Sequence, residues 1–372
     1  MKAHDVFLLH AYSPRNSGDG LLVKLSLEAI RASGIHHRVT VVCLDKAAFE
    51  NYLDDPDVEL ITLAEFVVRT AARVVSRRPA LFFGVGGGYL RSGNPAEGWK
   101  ALIAHGTQIL CAAACAGSRT IYLPQSVGPF NGLAGVILKS LVRRHVGTIF
   151  LRDDKSNQEL QHWRGIRIGD LVVLEIARRV QATVVQPAID RQKVYFVFRD
   201  LSGKPYSDAY LKNVKRLAEM IPDAQFVLQS SGRGNSDDAF YRRVFGIECS
   251  TSLREALQHR DAIVVSVRLH GSLESVLAGV PSIHLSYERK GLAAYRDLGL
   301  DEYVFHASEF DPAAVARLVE QLRTVPHLFW NSLNAAPANR YEELLETIKN
   351  ETRHFDHATD GRKFLASRDR GL

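Results

Sequence analysis

Short apolar runs alternate with amphipathic helical patterns along most of the chain. The patterns "GLLVKLSLEAIRAS" (20–33) and "DAYLKNVKRLAEMI" (208–221) are typical of helices that lie between such runs. The candidate strands are Val6–His10, Val39–Leu44, Leu81–Val85, Thr120–Pro124, Thr148–Leu151, Val194–Arg199, Gln225–Gln229, Ala262–Val267 and Ser282–Ser286. Because strands that alternate with helices form βαβ units, the pattern predicts an α/β fold with parallel sheets.

The periodicity fades around a proline within residues 178–193, and this predicts a domain boundary. We expect an N-terminal Rossmann-like, doubly wound domain over residues 1–182 and a second one over residues 190–330. From about Asp311 the pattern is mainly helical. We predict a C-terminal helix and polar tail over residues 331–372, with a helix at 339–350 and fraying after Arg353.

Composition narrows the class of protein. The chain has 372 residues, 46% of them hydrophobic, and single cores rarely grow beyond about 250 to 300 residues, so two domains are expected. Four scattered cysteines without a metal-ligand spacing predict a cytoplasmic protein with no bound metal. No apolar stretch has the length of a signal peptide or a membrane span.

The net charge of +6 and the isoelectric point near 9.1 favour anionic partners. Nucleic acid is not expected, because the basic residues are dispersed and no recognised motif accompanies them. The segment "LKSLVRRHV" (138–146) combines apolar and basic residues and suggests peripheral contact with an anionic membrane, with an ordinary solvated helix face as the alternative.

The apolar run Ala262–Val267 ends in two chemically active side chains, Arg268 and His270. Ligands of open parallel sheets bind beyond the carboxyl ends of the strands, near the N-termini of the following helices. A guanidinium and an imidazole at such a place suit a small phosphorylated or carboxylated anion. The alternative is an arginine paired with a neighbouring carboxylate and a histidine in the core.

Several other predicted strands end in polar or glycine-rich segments, which predicts a cleft along one edge. Asp19 is an unsuitable neighbour for a phosphate but suits a sugar hydroxyl. Consecutive glycines indicate close backbone approach. The segments contain Asn16, Gly18 and Asp19 after the first strand, then Gly86, Gly87 and Gly88, then Gln125 and Ser126, and finally the arginines Arg152 and Arg199.

The order and spacing of these segments resemble the polysaccharide pyruvyl transferase family. The resemblance covers roughly residues 10–300 and includes Arg268-Leu269-His270 and Gly279-Val280-Pro281 leading to Tyr287 and Lys290. It implies a fold similar to the GT-B glycosyltransferases, with two Rossmann-like domains facing a cleft. It also implies transfer of pyruvyl from phosphoenolpyruvate to two hydroxyls of one sugar, on a cell-surface glycan or its lipid-linked precursor. Phosphoenolpyruvate is then a donor substrate, and no cofactor is expected.

Phosphoenolpyruvate carries a carboxylate close to a phosphate, so its site needs several fixed cations. The candidates are Arg268, Arg199, Arg152 and Lys290. His270 is the candidate acid that protonates the methylene carbon, although it could instead only bind phosphate. Asp19 is the candidate base for the acceptor hydroxyl. The family tends to show an Asp-Pro pair where this chain has Asp170-Leu171.

Two other functions compete with this interpretation. A GT-B glycosyltransferase would use a nucleotide-sugar donor, with Glu274 or a nearby carboxylate available to the ribose. A binding module of a glycan-assembly system would hold a sugar or an anion without turnover. The sequence leaves the acceptor sugar and the oligomeric state undetermined.

Overall fold

The computed structural model describes residues 5–182, 193–231 and 236–368. These residues form two compact units, each with its own parallel sheet. Unit 1 comprises the described residues up to Pro14, then Asp19–Leu171, then the described residues from Arg340. Unit 2 comprises Arg15–Gly18 and the described part of Val172–Asn339. The chain thus passes into unit 2 well before the predicted boundary after residue 182, and most of the C-terminal helix belongs to unit 1.

The sheet of unit 1 has the strand order β3-β2-β1-β4-β6-β7-β8, with β5 paired to β6 and every pair parallel. Its strand order reverses between β1 and β4, which makes that position the topological switch point. The strands are β1 Val6–Ala11, β2 Val39–Cys43, β3 Val58–Thr62, β4 Leu81–Gly84, β5 Gly87–Ser92, β6 Arg119–Phe130, β7 Thr148–Leu151 and β8 Gly165–Arg167.

Helices cover the sheet of unit 1. The central strands β1, β2 and β4 are buried along their whole length, as expected for parallel strands with helices on both faces. The helices are α1 Ser17–Ala32, α2 Lys46–Glu50, α3 Leu63–Ser76, α4 Pro95–Ala101, a π-helical turn Leu102–Gly106, α5 Thr107–Ala114, α6 Gly132–His145 and α7 Asp154–Leu160.

The sheet of unit 2 has the strand order β10-β9-β11-β12-β13, again with every pair parallel. Here the switch point lies between β9 and β11. The strands are β9 Lys193–Val197, β10 Gln225–Phe226, β11 Ala262–Ser266, β12 Ser282–Ser286 and β13 Val304–His306. The helices are α8 Leu171–Ala182, α9 Ser207–Met220, α10 Asp237–Phe245, α11 Leu253–Ala256, α12 Leu269–Leu277, α13 Arg289–Asp297, α14 Pro312–Thr324 and α15 His327–Ser332, with a 3₁₀ turn at Asp301–Tyr303.

Two glycine-rich segments differ from their predicted form. Gly87 and Gly88 begin strand β5, which the sequence pattern missed, and β6 continues beyond the predicted end at Pro124 to Phe130. Both strands lack a continuous apolar run, because β5 opens on glycines and β6 carries Pro124. Gln125 and Ser126 therefore lie within a strand.

The C-terminal helix α16, Pro337–Arg368, is longer than predicted and does not end near Arg353. Leu344, Ile348 and Phe355 are buried along one stripe of it, at spacings that keep them on one face. Glu351 also forms an ion pair with Arg164 of unit 1. Burial of this stripe explains why the helix persists where the sequence becomes polar.

We expect Phe355→Ala to lower the free energy of unfolding by about 3 kcal/mol, the usual cost of truncating a buried phenylalanine. Phe355 is fully buried, whereas the adjacent His354 is exposed. Denaturant unfolding of both alanine variants measures the difference. An equal loss of unfolding free energy in Phe355→Ala and His354→Ala would contradict the burial of the Phe355 side chain beneath α16.

Candidate active site

Four strands of unit 2 end in polar side chains along the carboxyl edge of the sheet. Arg199 follows β9, Gln229 follows β10, Arg268 and His270 follow β11, and Tyr287 follows β12. Because these strands are parallel neighbours, their ends share one edge. Arg199 and Arg268 stand on the two strands that flank the switch point, where ligands of such sheets bind.

Arg268 forms a buried ion pair with Asp237, the first residue of α10. Its Nε lies 2.9 Å from Asp237 Oδ1 and its Nη2 lies 2.5 Å from the same oxygen. Arg268 is 6% exposed and Asp237 is 0% exposed. Asp237 Oδ2 accepts the backbone N–H groups of Gln229 and Ser230 at 3.0 and 2.9 Å. Burial raises the pKa of Asp237, and Arg268 and the two amides oppose that rise.

The sequence allowed Arg268 either to bind an anionic ligand or to pair with a neighbouring carboxylate. In the structure it pairs with the carboxylate of Asp237. Arg268 is also the residue that precedes α12. The pair therefore joins the N-termini of α10 and α12. It fixes the position of the first turn of α12, which carries His270.

His270 is the second residue of α12 and is half-buried. The backbone at Gly18 packs directly on its side chain: a Cβ added to Gly18 would lie 2.5 Å from the His270 Cβ. No side chain fits there. Gly18, predicted to line the acceptor site, is thus a contact residue of the predicted catalytic histidine.

The segment that carries Gly18 is bound to unit 2 by specific contacts. Ser17 donates its backbone N–H to Gln229 O at 3.2 Å and its hydroxyl to Glu274 Oε2 at 2.7 Å. Asn16 forms an antiparallel bridge with Ser230. Glu274, the carboxylate considered for a nucleotide ribose, therefore binds Ser17. Asp19 follows Gly18 as the third residue of α1, where its negative charge is favourable to the helix dipole.

Sequence reasoning missed two polar side chains at the end of β10. Gln229 and Ser230 are buried, and within the part of the chain that the structure describes, Gln229 Oε1 and Ser230 Oγ have no hydrogen-bond partner. A Cβ added to Gly271 would lie 3.0 Å from Gln229 Oε1. A buried amide oxygen without a partner is costly, so this oxygen is a candidate ligand contact. The only signal in the sequence is the polar run "QSS" (229–231) after an apolar strand.

Arg199, which follows β9, contacts Tyr287, which follows β12, across the end of the intervening strand β11. Its Nη1 donates to Tyr287 Oη at 2.7 Å, and its Cζ lies 5.2 Å from the Tyr287 ring centroid. Tyr206 fixes the same segment by donating to Tyr287 O at 3.1 Å. Lys290, the other predicted cation, lies in the first turn of α13 with its Nζ 2.7 Å from Glu288.

A buried histidine lies beneath this edge. His284 Nδ1 is 3.0 Å from Ser266 O and 3.1 Å from Ser272 Oγ, and its ring stacks on Tyr295. Burial lowers the pKa of His284 to about 4. Gly291 lets α13 approach, since a Cβ there would lie 2.3 Å from His284 Nε2. His284 is therefore a neutral packing group.

In unit 1, Arg152 is bound in a second buried cluster. Its Nη1 lies 2.6 Å from Asp170 Oδ2 and its Nε donates to Ser126 Oγ at 2.6 Å. Ser126 Oγ in turn donates to Asp153 Oδ2 at 2.5 Å. Gly88 lies close by, because a Cβ there would be 3.2 Å from Arg152 Nη2. The cluster gives Asp170, which Leu171 follows in place of the family's proline, a structural partner.

Gln125 lies in the interior of unit 1 at 0% exposure. Its Nε2 donates to Tyr89 Oη at 2.8 Å and to Val85 O. These bonds hold the backbone that leads from β4 through Gly86 into β5. A Cβ on Gly86 would lie 3.1 Å from Pro124 O, so this glycine permits close packing of two backbones. Gln125 accordingly supports the glycine segment from within the unit.

A histidine pair that sequence reasoning did not single out lies at the switch point of unit 1. His10 Nε2 is 2.6 Å from Tyr122 Oη, and His10 Nδ1 is 3.2 Å from His105 Nδ1. His10 N–H donates to Gln108 Oε1 at 2.8 Å. The π-helical turn, a rare feature, carries His105. Burial lowers the pKa of His10 well below its usual value and that of His105 to about 4.

The fold defines a class: a two-domain α/β protein of the GT-B type with Rossmann-like parallel sheets. Staphylococcus aureus MnaA, in a structure with UDP, superposes with a TM-score of 0.54 at 12% identity, over 96% of this chain and 98% of that one. A Listeria monocytogenes protein assigned as a UDP-N-acetylglucosamine 2-epimerase gives 0.53 at 13% identity, over 95% and 98%. Identities this low establish the fold alone.

The chain belongs to the polysaccharide pyruvyl transferase family, whose model matches residues 16–289. The match covers Asn16, His270 and most of the other segments on which the resemblance was based, and it ends one residue before Lys290. No curated protein sequence matches the chain significantly. Within the described residues, no helix is long and apolar enough to cross a membrane.

We expect Asp237→Asn to destabilise the protein by about 3 kcal/mol, because breaking a buried pair leaves an uncompensated charge. The neighbouring Asp238 forms a more exposed pair with Arg242, and such pairs contribute about 0 to 1 kcal/mol. Denaturant unfolding of Asp237→Asn and the control Asp238→Asn tests this. Equal losses of unfolding free energy in the two variants would contradict a stabilising role of the Arg268–Asp237 pair.

We also expect stability to fall as the pH drops from about 6.5 towards 4. His105 and His284 have folded-state pKa values near 4, below the unfolded value of about 6.5. In that window the unfolded chain binds more protons than the folded one. Each histidine therefore lowers the free energy of unfolding by about 1 kcal/mol for each pH unit of acidification. Chemical denaturation at pH 7, 6 and 5 measures the free energy of unfolding at each pH. A stability that is flat or rises towards pH 5 would contradict neutral buried histidines.

Proposed function

We propose that this protein transfers pyruvyl from phosphoenolpyruvate to two hydroxyls of one sugar, giving a cyclic ketal and inorganic phosphate. The observation that carries the proposal is His270 in the first turn of α12, at the switch-point edge of unit 2, within the segment shared with the family. The acceptor is a sugar of a cell-surface glycan or its lipid-linked precursor.

The donor carries two anionic groups. The N-terminus of α12 offers backbone N–H groups and a positive dipole end to one of them. Arg199, held in a fixed orientation by Tyr287, supplies a guanidinium for the other. Lys290, the remaining candidate cation, lies at the start of α13, but its charge is offset by Glu288, 2.7 Å from its Nζ.

Arg268 takes a positioning role in this proposal. Its Nε and Nη2 are committed to Asp237, and the two charges offset each other. What it supplies is a rigid start to α12, on which the position of His270 depends. Arg152 is likewise bound to Asp170 in unit 1, and we leave it out of the donor site.

The reaction follows from an acid and two nucleophiles. His270 donates a proton to the methylene carbon of phosphoenolpyruvate, and the first sugar hydroxyl bonds to the cationic C2 and loses its proton to a base. Asp19 is the candidate base. The second hydroxyl then bonds to C2 as the C2–O bond to phosphate breaks, and its proton leaves with the phosphate.

We expect acceptor-dependent phosphate release from phosphoenolpyruvate to fall by about 10² to 10⁴ in His270→Ala, the usual effect of losing a general acid. The measurement uses a panel of galactosides, glucosides and mannosides as acceptors. His259→Ala is the matched control, since His259 is an exposed histidine of the same unit. A second arm, Arg199→Gln, should raise the KM for phosphoenolpyruvate more than it lowers kcat.

Three outcomes separate the alternatives. Thermal protection by phosphoenolpyruvate without turnover would direct the search to another acceptor. Protection by a nucleotide sugar alone would overturn the proposal in favour of a glycosyltransferase. Binding of a sugar or anion with no turnover on any acceptor or donor would indicate a binding module.

A further inference from the structure

One face of unit 1 carries a concentration of exposed apolar side chains. Helices α3, α4, α5 and α6 pack side by side there, with α3 against α5 and α6 against α4, the π-helical turn and α5. They follow from the crossovers β3-to-β4, β4-to-β6 and β6-to-β7, which all run in one direction along the sheet and so place their helices on one face. We call the outward side of these helices the α3–α6 face.

Helix α3 presents an apolar stripe to solvent. Val68 is 69% exposed and Val75 is 86% exposed, and Val67 and Val74 lie beside them at 39% and 41%. On a helical projection the four valines occupy the arc opposite to and flanking the buried Phe66. A soluble helix normally puts polar residues on that arc. The arrangement on α3 is therefore unusual for a face that contacts only water.

The stripe continues across the neighbouring helices. Trp99 of α4 is 47% exposed, Ile103 of the π-helical turn 66% and Leu110 of α5 50%. On α6, Leu133 and Val136 are 67% and 60% exposed at a spacing that keeps them on one face. Most of the large hydrophobic side chains that are exposed among the described residues thus lie on the α3–α6 face.

Basic side chains border this apolar surface. Arg77 and Arg78 follow α3, Lys100 lies on α4, and Arg143 and Arg144 end α6, all of them exposed. Over residues 5–182, 193–231 and 236–368, none of these five has a carboxylate partner within ion-pair distance. The acidic residues of these helices are paired, Glu65 with Lys46 at 3.7 Å and Glu97 with Arg91 at 2.6 Å. The border is therefore positively charged.

We propose that the α3–α6 face docks on an anionic phospholipid bilayer. Apolar side chains that include a tryptophan, bordered by unpaired lysine and arginine, match the boundary between acyl chains and anionic headgroups. A second copy of the chain is a poorer occupant, because in a two-fold dimer the basic border would face itself. This inference is independent of the proposed catalytic activity.

The structure also revises the segment expected to contact a membrane. Leu138 and Val142 of residues 138–146 are fully buried in unit 1, because the apolar stripe of α6 packs on the sheet. The outward residues of α6 are Leu133, Val136, Arg143 and Arg144. Membrane contact through α6 therefore rests on Arg143 and Arg144, which belong to the predicted segment, and on Leu133 and Val136, which precede it.

The test is flotation of the full-length protein with vesicles of phosphatidylcholine alone or with phosphatidylglycerol. We expect binding to the anionic vesicles only, weakened at high salt. The double variant Val68→Glu/Val75→Glu should bind at least about tenfold more weakly, since it places charge in the interfacial region. Arg143→Glu/Arg144→Glu should give a similar loss.

The matched control is Met220→Glu/Ile247→Glu, which adds the same charge at exposed apolar positions of unit 2. Thermal unfolding midpoints confirm that each variant folds. Equal vesicle binding by the control and the Val68→Glu/Val75→Glu variant would overturn the proposal. Absence of vesicle binding by the wild type would also overturn it. If light scattering then showed a dimer that the Val68→Glu/Val75→Glu variant converts to a monomer, the occupant of the face would be a second copy of the chain.

Discussion

The arrangement of unit 2 depends on the buried pair between Arg268 and Asp237. Removing two charges from water is costly, and the cost is offset only when the geometry is good and the remaining hydrogen-bonding positions are filled. Here the guanidinium binds the carboxylate through two nitrogens, and the backbone amides of Gln229 and Ser230 complete its shell. One carboxylate thereby ties together the end of β10, the start of α10 and the start of α12.

The consequences extend to His270, the proposed acid. Gln229 also accepts the backbone N–H of Ser17, so the segment that places Gly18 against His270 is attached to the same cluster. His270 itself stands on the helix that Arg268 precedes. An arginine that neutralises an internal carboxylate contributes orientation. In the proposed donor site the positive potential comes from the helix N-terminus and Arg199. The arginine in the Arg268-Leu269-His270 triplet is on this view the framework for its histidine.

The sequence was informative where burial leaves a continuous apolar run. Central strands such as β1, β2 and β11 are recognisable for that reason, and their order placed Arg199, Arg268 and His270 on one edge. Strand β5 was missed because it opens on glycines, and β3, β8 and β13 were missed because they are mostly half-buried. Asp237 was not recognisable as a partner of Arg268, because their pairing depends on which strands are neighbours. The predicted strand end at Pro124 was wrong, because β6 continues past the proline and buries Gln125.

The function of this chain has to be inferred from its site, because the two solved structures share only their fold with it. A parallel sheet with its switch point offers the same edge to any ligand, and a fold of this kind hosts many chemistries. At 12 to 13% identity the shared feature is the position of that edge. On that edge this chain carries Glu274, the carboxylate considered for a nucleotide ribose, which is bonded to Ser17, and an imidazole at the start of α12. The proposed donor is small and highly charged and has a carbon to be protonated, and an imidazole at this position is the group that such a donor requires.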